Sequence, residues 1–201
     1  MTATAVVLLA ALLVAAASLA AARRAIGSVR VPLFAAPRGS EAAGVRYAFT
    51  TAFLPRAKES AAGHLPTYVA GLAYHAGIFA ALLWLAFTLT PLAPSRPLAI
   101  VLAALLALAL GSGLALLAKR GSRVSLRAVS VPDDVVANLL VDATLAAGLA
   151  AALAPGAVPL FQLAGAALLL YAPLGKLRHM LFLVTSRRAW GRFYGRRGVR
   201  G

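Results

Sequence analysis

Between Leu98 and Leu117 the chain runs for twenty residues without a charged side chain. Coiled as a helix, that length covers about 30 Å, the thickness of a bilayer's hydrocarbon core. In lipid, each backbone N–H and C=O must find its partner within the segment, so such a run can only be helical. The same reading applies to 5–22, 65–89, 135–154 and 158–184, the third of these carrying Asp142 and the last Lys176 and Arg178 near its end. A mean hydropathy of +0.87, with 62% hydrophobic and 12% charged residues, lies well outside the range of soluble domains. The expected fold is therefore all-α, a polytopic membrane helical bundle of five transmembrane helices forming one membrane domain over 1–201. Residues 23–63 are expected as a cytoplasmic or interfacial connection, and 185–201 as a basic cytoplasmic tail.

The basic residues orient the bundle. Seven follow the first run, one (Arg96) follows the second, four follow the third, none follows the fourth, and eight lie from Lys176 onward. Nineteen of the twenty fall on one side, which the positive-inside rule assigns to the cytoplasm. This predicts an N-terminus outside, a C-terminus inside, and a multi-pass protein of the cell's inner, cytoplasmic membrane. The first run has no basic residue before it and Arg23 and Arg24 directly after it, the reverse of a signal peptide, so it reads as an uncleaved span. A net charge of +15 suggests nucleic acid, but charges that flank the spans point to topology and anionic lipid instead. The absence of cysteine excludes disulfides, thiol catalysis and cysteine-ligated clusters within this chain.

Local signals refine the picture. Pro66 falls in the first turn of the second span, where proline is tolerated, and Pro173 is expected to kink the fifth. The segment SVPDD before the fourth span predicts a helix start with Ser130 as N-cap and Asp133 at the third helical position. Asn138 and Asp142 then share one face, one turn apart, as quinone or proton-path candidates or as structural polar groups.

The chain has three histidines, His64, His75 and His179. His64 and His75 are eleven residues apart, which places them about 20° apart around a helix and about 16 Å apart along it. His179, at the cytoplasmic end of the fifth span, matches the depth of His64. Two imidazoles at equal depth on neighbouring helices suit a b-type haem, whose iron takes one on each side and keeps no open position. The metal-ligand prediction is thus His64 and His179, with His75 a further cofactor-binding candidate or a satisfied buried histidine. Gly63, Gly71 and Gly175 stand near these residues and offer clearance for a porphyrin, or else ordinary close helix packing. No HExxH or GxSxG motif supports hydrolytic chemistry, and no catalytic residue is predicted.

Three stretches carry a resemblance: KESAAGHLPTYVAGLAYH, LRAVSVPDD, and PLGKLRHM followed by SRRAWGRFYGRRG. Together they resemble the gamma, cytochrome b, subunit of respiratory nitrate reductases and the related membrane subunits of heterodisulfide-reductase-like complexes. The resemblance implies two stacked haems held by four histidines, two on the second span and two on the fifth. It also implies electron transfer between a quinol and a cytoplasmic iron–sulfur subunit. His64 and His75 correspond to the second-span pair and His179 to the cytoplasmic fifth-span ligand. Phe161 stands where the outer ligand is expected, so one haem b is expected here rather than two.

The expected function is that of a cytochrome b-like electron-transfer subunit of a quinone-linked oxidoreductase complex. Its partners would be quinone or quinol, a cytoplasmic iron–sulfur subunit and membrane lipids, with no nucleic acid. The alternative is a haem-free membrane anchor that docks a cytoplasmic partner through its arginine-rich tail, and a third reading is a lipid-surface protein.

Overall fold

The computed structural model describes residues 2–28, 36–58 and 61–199, and all regular structure among them is helical. Eight α-helices follow in order: α1 Ala3–Ser28, α2 Glu41–Phe49, α3 Leu65–Phe87, α4 Arg96–Ser122, α5 Val124–Ala128, α6 Pro132–Leu153, α7 Val158–Tyr171 and α8 His179–Arg196. Arg30, Pro32, Glu59 and Arg200 lie outside the described residues. Four helices are long and apolar enough to cross a membrane: α1 over Ala3–Ala21, α3, α4 and α6. A fifth crossing is present if the broken pair Pro155–Tyr171 and Lys176–Arg196 counts as one span.

A proline opens each of the four later bundle helices. Pro66, Pro97, Pro132 and Pro159 all lie in the first turn of their helix, where the missing N–H would have had no intrahelical acceptor. At Pro132 this shifts the expected helix start by one residue. Val131 is the N-cap and Asp134, rather than Asp133, is the third helical residue, its carboxylate accepting the Val131 N–H at 3.1 Å. Ser130, expected as the cap, instead donates from Oγ to the Leu126 carbonyl at 2.6 Å.

The chain divides into two compact units. The first comprises Met1–Ala15 and Pro66–Leu177. Its core is built around Phe161, Leu106, Leu145, Val7 and Thr144, each less than 2% exposed. In this unit α6 is central, with 44% of its apolar window buried against 11–22% for the other three spanning helices. Small residues bring the helices together, as membrane helices require when lipid is as apolar as their own side chains. A Cβ on Gly77 of α3 would lie 2.0 Å from the Ala109 Cβ of α4, and one on Gly148 of α6 would lie 3.0 Å from the Phe161 ring of α7. Gln162 adds a polar tie: its Nε2 donates to the Thr88 carbonyl at 3.2 Å and its Oε1 accepts from Thr4 Oγ1 at 3.3 Å.

The fifth apolar run does not continue as one helix to residue 184. α7 ends at Tyr171, residues 172–175 turn, and Lys176–Arg178 form a single 3-10 turn before α8 begins. Pro173 explains the stop, because it lacks an N–H and its ring opposes the carbonyl four residues back. Gly175 then receives the Tyr171 ring, whose Cζ lies 2.3 Å from where a Cβ would stand.

The second unit comprises Ala16–Leu65 and Arg178–Gly201. Here the segments expected as a surface connection and a basic tail meet as two antiparallel helices. A Cβ on Gly44 of α2 would lie 2.1 Å from the Gly191 carbonyl oxygen of α8, and one on Gly195 would lie 2.5 Å from the Ser40 carbonyl oxygen. Gly191 and Gly195 are four residues apart, so both face α2, and the absence of side chains lets backbone rest on backbone. Charge and aromatic contacts set the register. Arg192 Nε meets Glu41 Oε2 at 3.0 Å, Arg196 Nε meets Glu41 Oε1 at 2.5 Å, and Tyr47 stacks on Trp190 with ring centroids 6.2 Å apart. Several arginines of the tail are therefore committed within the fold, including Arg187, whose guanidinium lies 4.5 Å from the Phe53 ring centroid.

Candidate haem ligands and a buried polar cluster

His64 and His179 both belong to the second unit. His64 closes the 3-10 turn Ala62–His64, its N–H donating to the Ala61 carbonyl at 3.2 Å, and its side chain is exposed. His179 is the first residue of α8 and is exposed as well. Each imidazole thus stands at the start of a helix, outside the packed core.

His75 belongs to the first unit, on α3. Its Nδ1 lies 2.7 Å from the Gly71 carbonyl oxygen, one turn back. A carbonyl only accepts, so Nδ1 carries a proton, and a neutral ring would then present the Nε2 lone pair. That is the tautomer a metal-binding imidazole uses when a backbone carbonyl orients it from behind. The ring is exposed on the outer face of the helix. Sequence spacing did not reveal this bond, although a glycine one turn before the histidine was visible.

The glycines sort by environment. A Cβ on Gly63 or Gly71 would meet nothing within 4 Å, so both are open beside their histidines. On α7 a Cβ on Gly165 would lie 2.5 Å from Leu85 Cδ2, so that clearance is filled by the bundle's own side chains. Phe161 is 0% exposed and packed against Gly148. The oriented ring of His75 and the open surroundings of His64 and His75 suit a ligand position, whereas Gly175, four residues before His179, is filled by the Tyr171 ring and the Phe161 position is closed core. Among the described residues no three His, Cys, Asp or Glu side chains gather as a metal-binding group.

A second polar site lies inside the first unit. Asn138 Nδ2 donates to Asp142 Oδ2 at 2.8 Å, as their spacing predicted. The same amide is 3.1 Å from the Tyr74 hydroxyl of α3, which donates to the Asn138 carbonyl at 3.2 Å. Tyr74 was missed from sequence because it sits beside His75 in an apolar run, with no local sign of its partner on α6. Nearer the start of α6, Asp134 has a side chain only 2% exposed and takes two cations, Arg120 of α4 at 3.2 Å and Lys176. Arg120 also donates to Ser130 Oγ at 2.9 Å, Tyr171 bonds Asp133, and Lys119 bonds Thr67. The basic residues counted for topology thus also link α3, α4, α6 and the end of α7.

No protein-family model, curated protein or solved structure matches this chain.

Proposed function

We propose that the protein is a cytochrome b-like membrane subunit that passes electrons between quinone and a cytoplasmic iron–sulfur partner through one b-type haem. His64 and His179 are the residues that would hold its iron. The observation that supports this most directly is that the two histidines fall in one compact unit, both exposed at helix starts. Either ring can therefore meet a ligand without opening the core. A haem iron with two axial imidazoles has no vacant coordination position and supplies one-electron transfer. The chain's own part is to orient the rings, exclude a second ligand at Phe161, and keep the surrounding helices apolar. His75, with Nδ1 anchored on Gly71 and Nε2 facing outward, is the residue available to a quinone oxygen or to a further ligand.

The excess of basic residues on one side favours a cytoplasmic C-terminus in the inner membrane. That would present α8 to the partner, and Arg188, Trp190 and Phe193 are exposed on it. Arginines beside aromatics suit a protein interface, and this surface equally supports the second reading, a haem-free anchor.

Haem content decides between them. The purified protein should give about one haem per chain in a pyridine haemochrome assay. His64→Ala and His179→Ala should each abolish it, and His75→Ala should largely retain it. A value near zero for the wild-type chain would leave the anchor reading, and loss only in His75→Ala would overturn the pairing.

A further inference from the structure

Near the middle of the twenty-two-residue helix α6, a carboxyl group lies inside the bundle. Asp142 is 5% exposed, and its Oδ1 is buried with no hydrogen-bond partner. Three elements enclose it. Asn138 of α6 donates to Oδ2 at 2.8 Å, and the Tyr74 phenol of α3 is held 3.1 Å from the same amide. From α4, Gly113 presents bare backbone: a Cβ there would lie 2.1 Å from Asp142 Oδ1 and 2.4 Å from the Tyr74 ring. No ion pair among the described residues includes Asp142, since Arg120 and Lys176 go to Asp134. A lone ionised carboxylate in such a place would bear a desolvation cost of several kcal/mol with no cation to offset it, so the group neutralises by taking a proton. An ionisable side chain facing the interior of a membrane bundle marks an ion or proton pathway more often than a packing role.

The approach to this group is also polar. Asp134, Asn138 and Asp142 recur every four residues and share one face of α6, covering about 12 Å of helix. At the Asp134 end two cationic side chains are 36% and 55% exposed, and charged heads of this kind extend to the hydrated interface. Polar groups therefore lead from a hydrated, basic end of the bundle to a single buried carboxyl at mid-helix.

We infer that Asp142 is an intramembrane proton-binding site, loaded and emptied from the Asp134 end by way of Asn138. The carboxylate takes one proton from water to become the neutral acid and returns it by the same route, with no other reactant. Asn138 and Tyr74 are positioning residues that hold the carboxyl and aim its oxygens. A carboxyl serving packing alone would keep its proton permanently, and this difference makes the idea testable.

The chain has only three aspartates, Asp133, Asp134 and Asp142, which makes isotopic assignment practical. Infrared spectra of the full-length protein in lipid nanodiscs, with and without carbon-13 aspartate, should contain a label-sensitive band of a protonated carboxyl. The band should disappear in the near-isosteric Asp142→Asn, move in frequency in Tyr74→Phe, shift on transfer to D2O, and shift more slowly in Asn138→Leu. Should Asp142→Asn not fold, the Tyr74→Phe movement assigns the band by itself. No label-sensitive band in the wild-type protein, a band that survives in a folded Asp142→Asn, or one indifferent to D2O would each overturn the proposal. The readout follows the protein's own aspartates, so its outcome is separate from that of the haem assay.

Discussion

A glycine means different things according to what its missing Cβ would strike. A Cβ on Gly44 would lie 2.1 Å from the Gly191 carbonyl oxygen, and backbone cannot turn aside. A Cβ on Gly165 would lie 2.5 Å from the tip of the Leu85 side chain, which can change rotamer. Gly44→Ala should therefore separate α2 from α8, whereas Gly165→Ala should cost no more than about 1–3 kcal/mol of overpacking. Disulfide trapping between cysteines placed at Tyr47 and Trp190 would report the first, and thermal unfolding in detergent the second. Equal losses in both would refute the distinction. Phe161, fully buried against Gly148, should behave as core: Phe161→Ala should lower stability by about 3–5 kcal/mol. Phe161→His expressed with excess haem should lose stability, since its ring nitrogens would be buried without partners, and should gain no haem, because side chains pack closely around the position. A folded variant with added haem would show the position to be a vacated ligand site.

At the scale of elements, proline placement decides where helices begin and end, and ion pairs decide how their ends are joined. Arg120 and Lys176 converge on one buried carboxylate, Asp134, and are themselves partly exposed. Removing either cation leaves the other in place and should cost about 1 kcal/mol, a value in the range of exposed pairs. Removing both strands a buried charge, and the double variant Arg120→Ala/Lys176→Ala should lose about 3–5 kcal/mol. A double-mutant cycle in chemical denaturant would detect this excess as coupling, and strict additivity would count against the shared role of Asp134. Glu41 on α2 provides the contrast. Its two arginine partners have side chains 61% and 44% exposed, so Glu41→Gln should change stability by about 1 kcal/mol or less.

At the scale of the whole molecule, residues 189–199 are structural before they are anything else. Their removal should leave the spanning helices inserted but take away the partner of α2, a helix of nine residues too short to persist alone. Limited trypsin digestion should then cut rapidly after Arg46, and continued protection of that bond would contradict the glycine-mediated pairing. What the sequence by itself determined is the part governed by short-range physics. Runs such as Leu98–Leu117 can only be helices in lipid, prolines mark their first turns, and a period of 3.6 residues puts Asn138 beside Asp142. Tertiary structure alone decided the rest. Pro173 marked the break after Tyr171 in advance, but that the Tyr171 ring would pack into the space left by Gly175 was not marked. Tyr74 joins Asn138 across 64 residues, and Gly44 meets Gly191 across a still longer stretch. No local periodicity encodes such distant partners, because contact between two helix faces depends on how each buries its surface against the other.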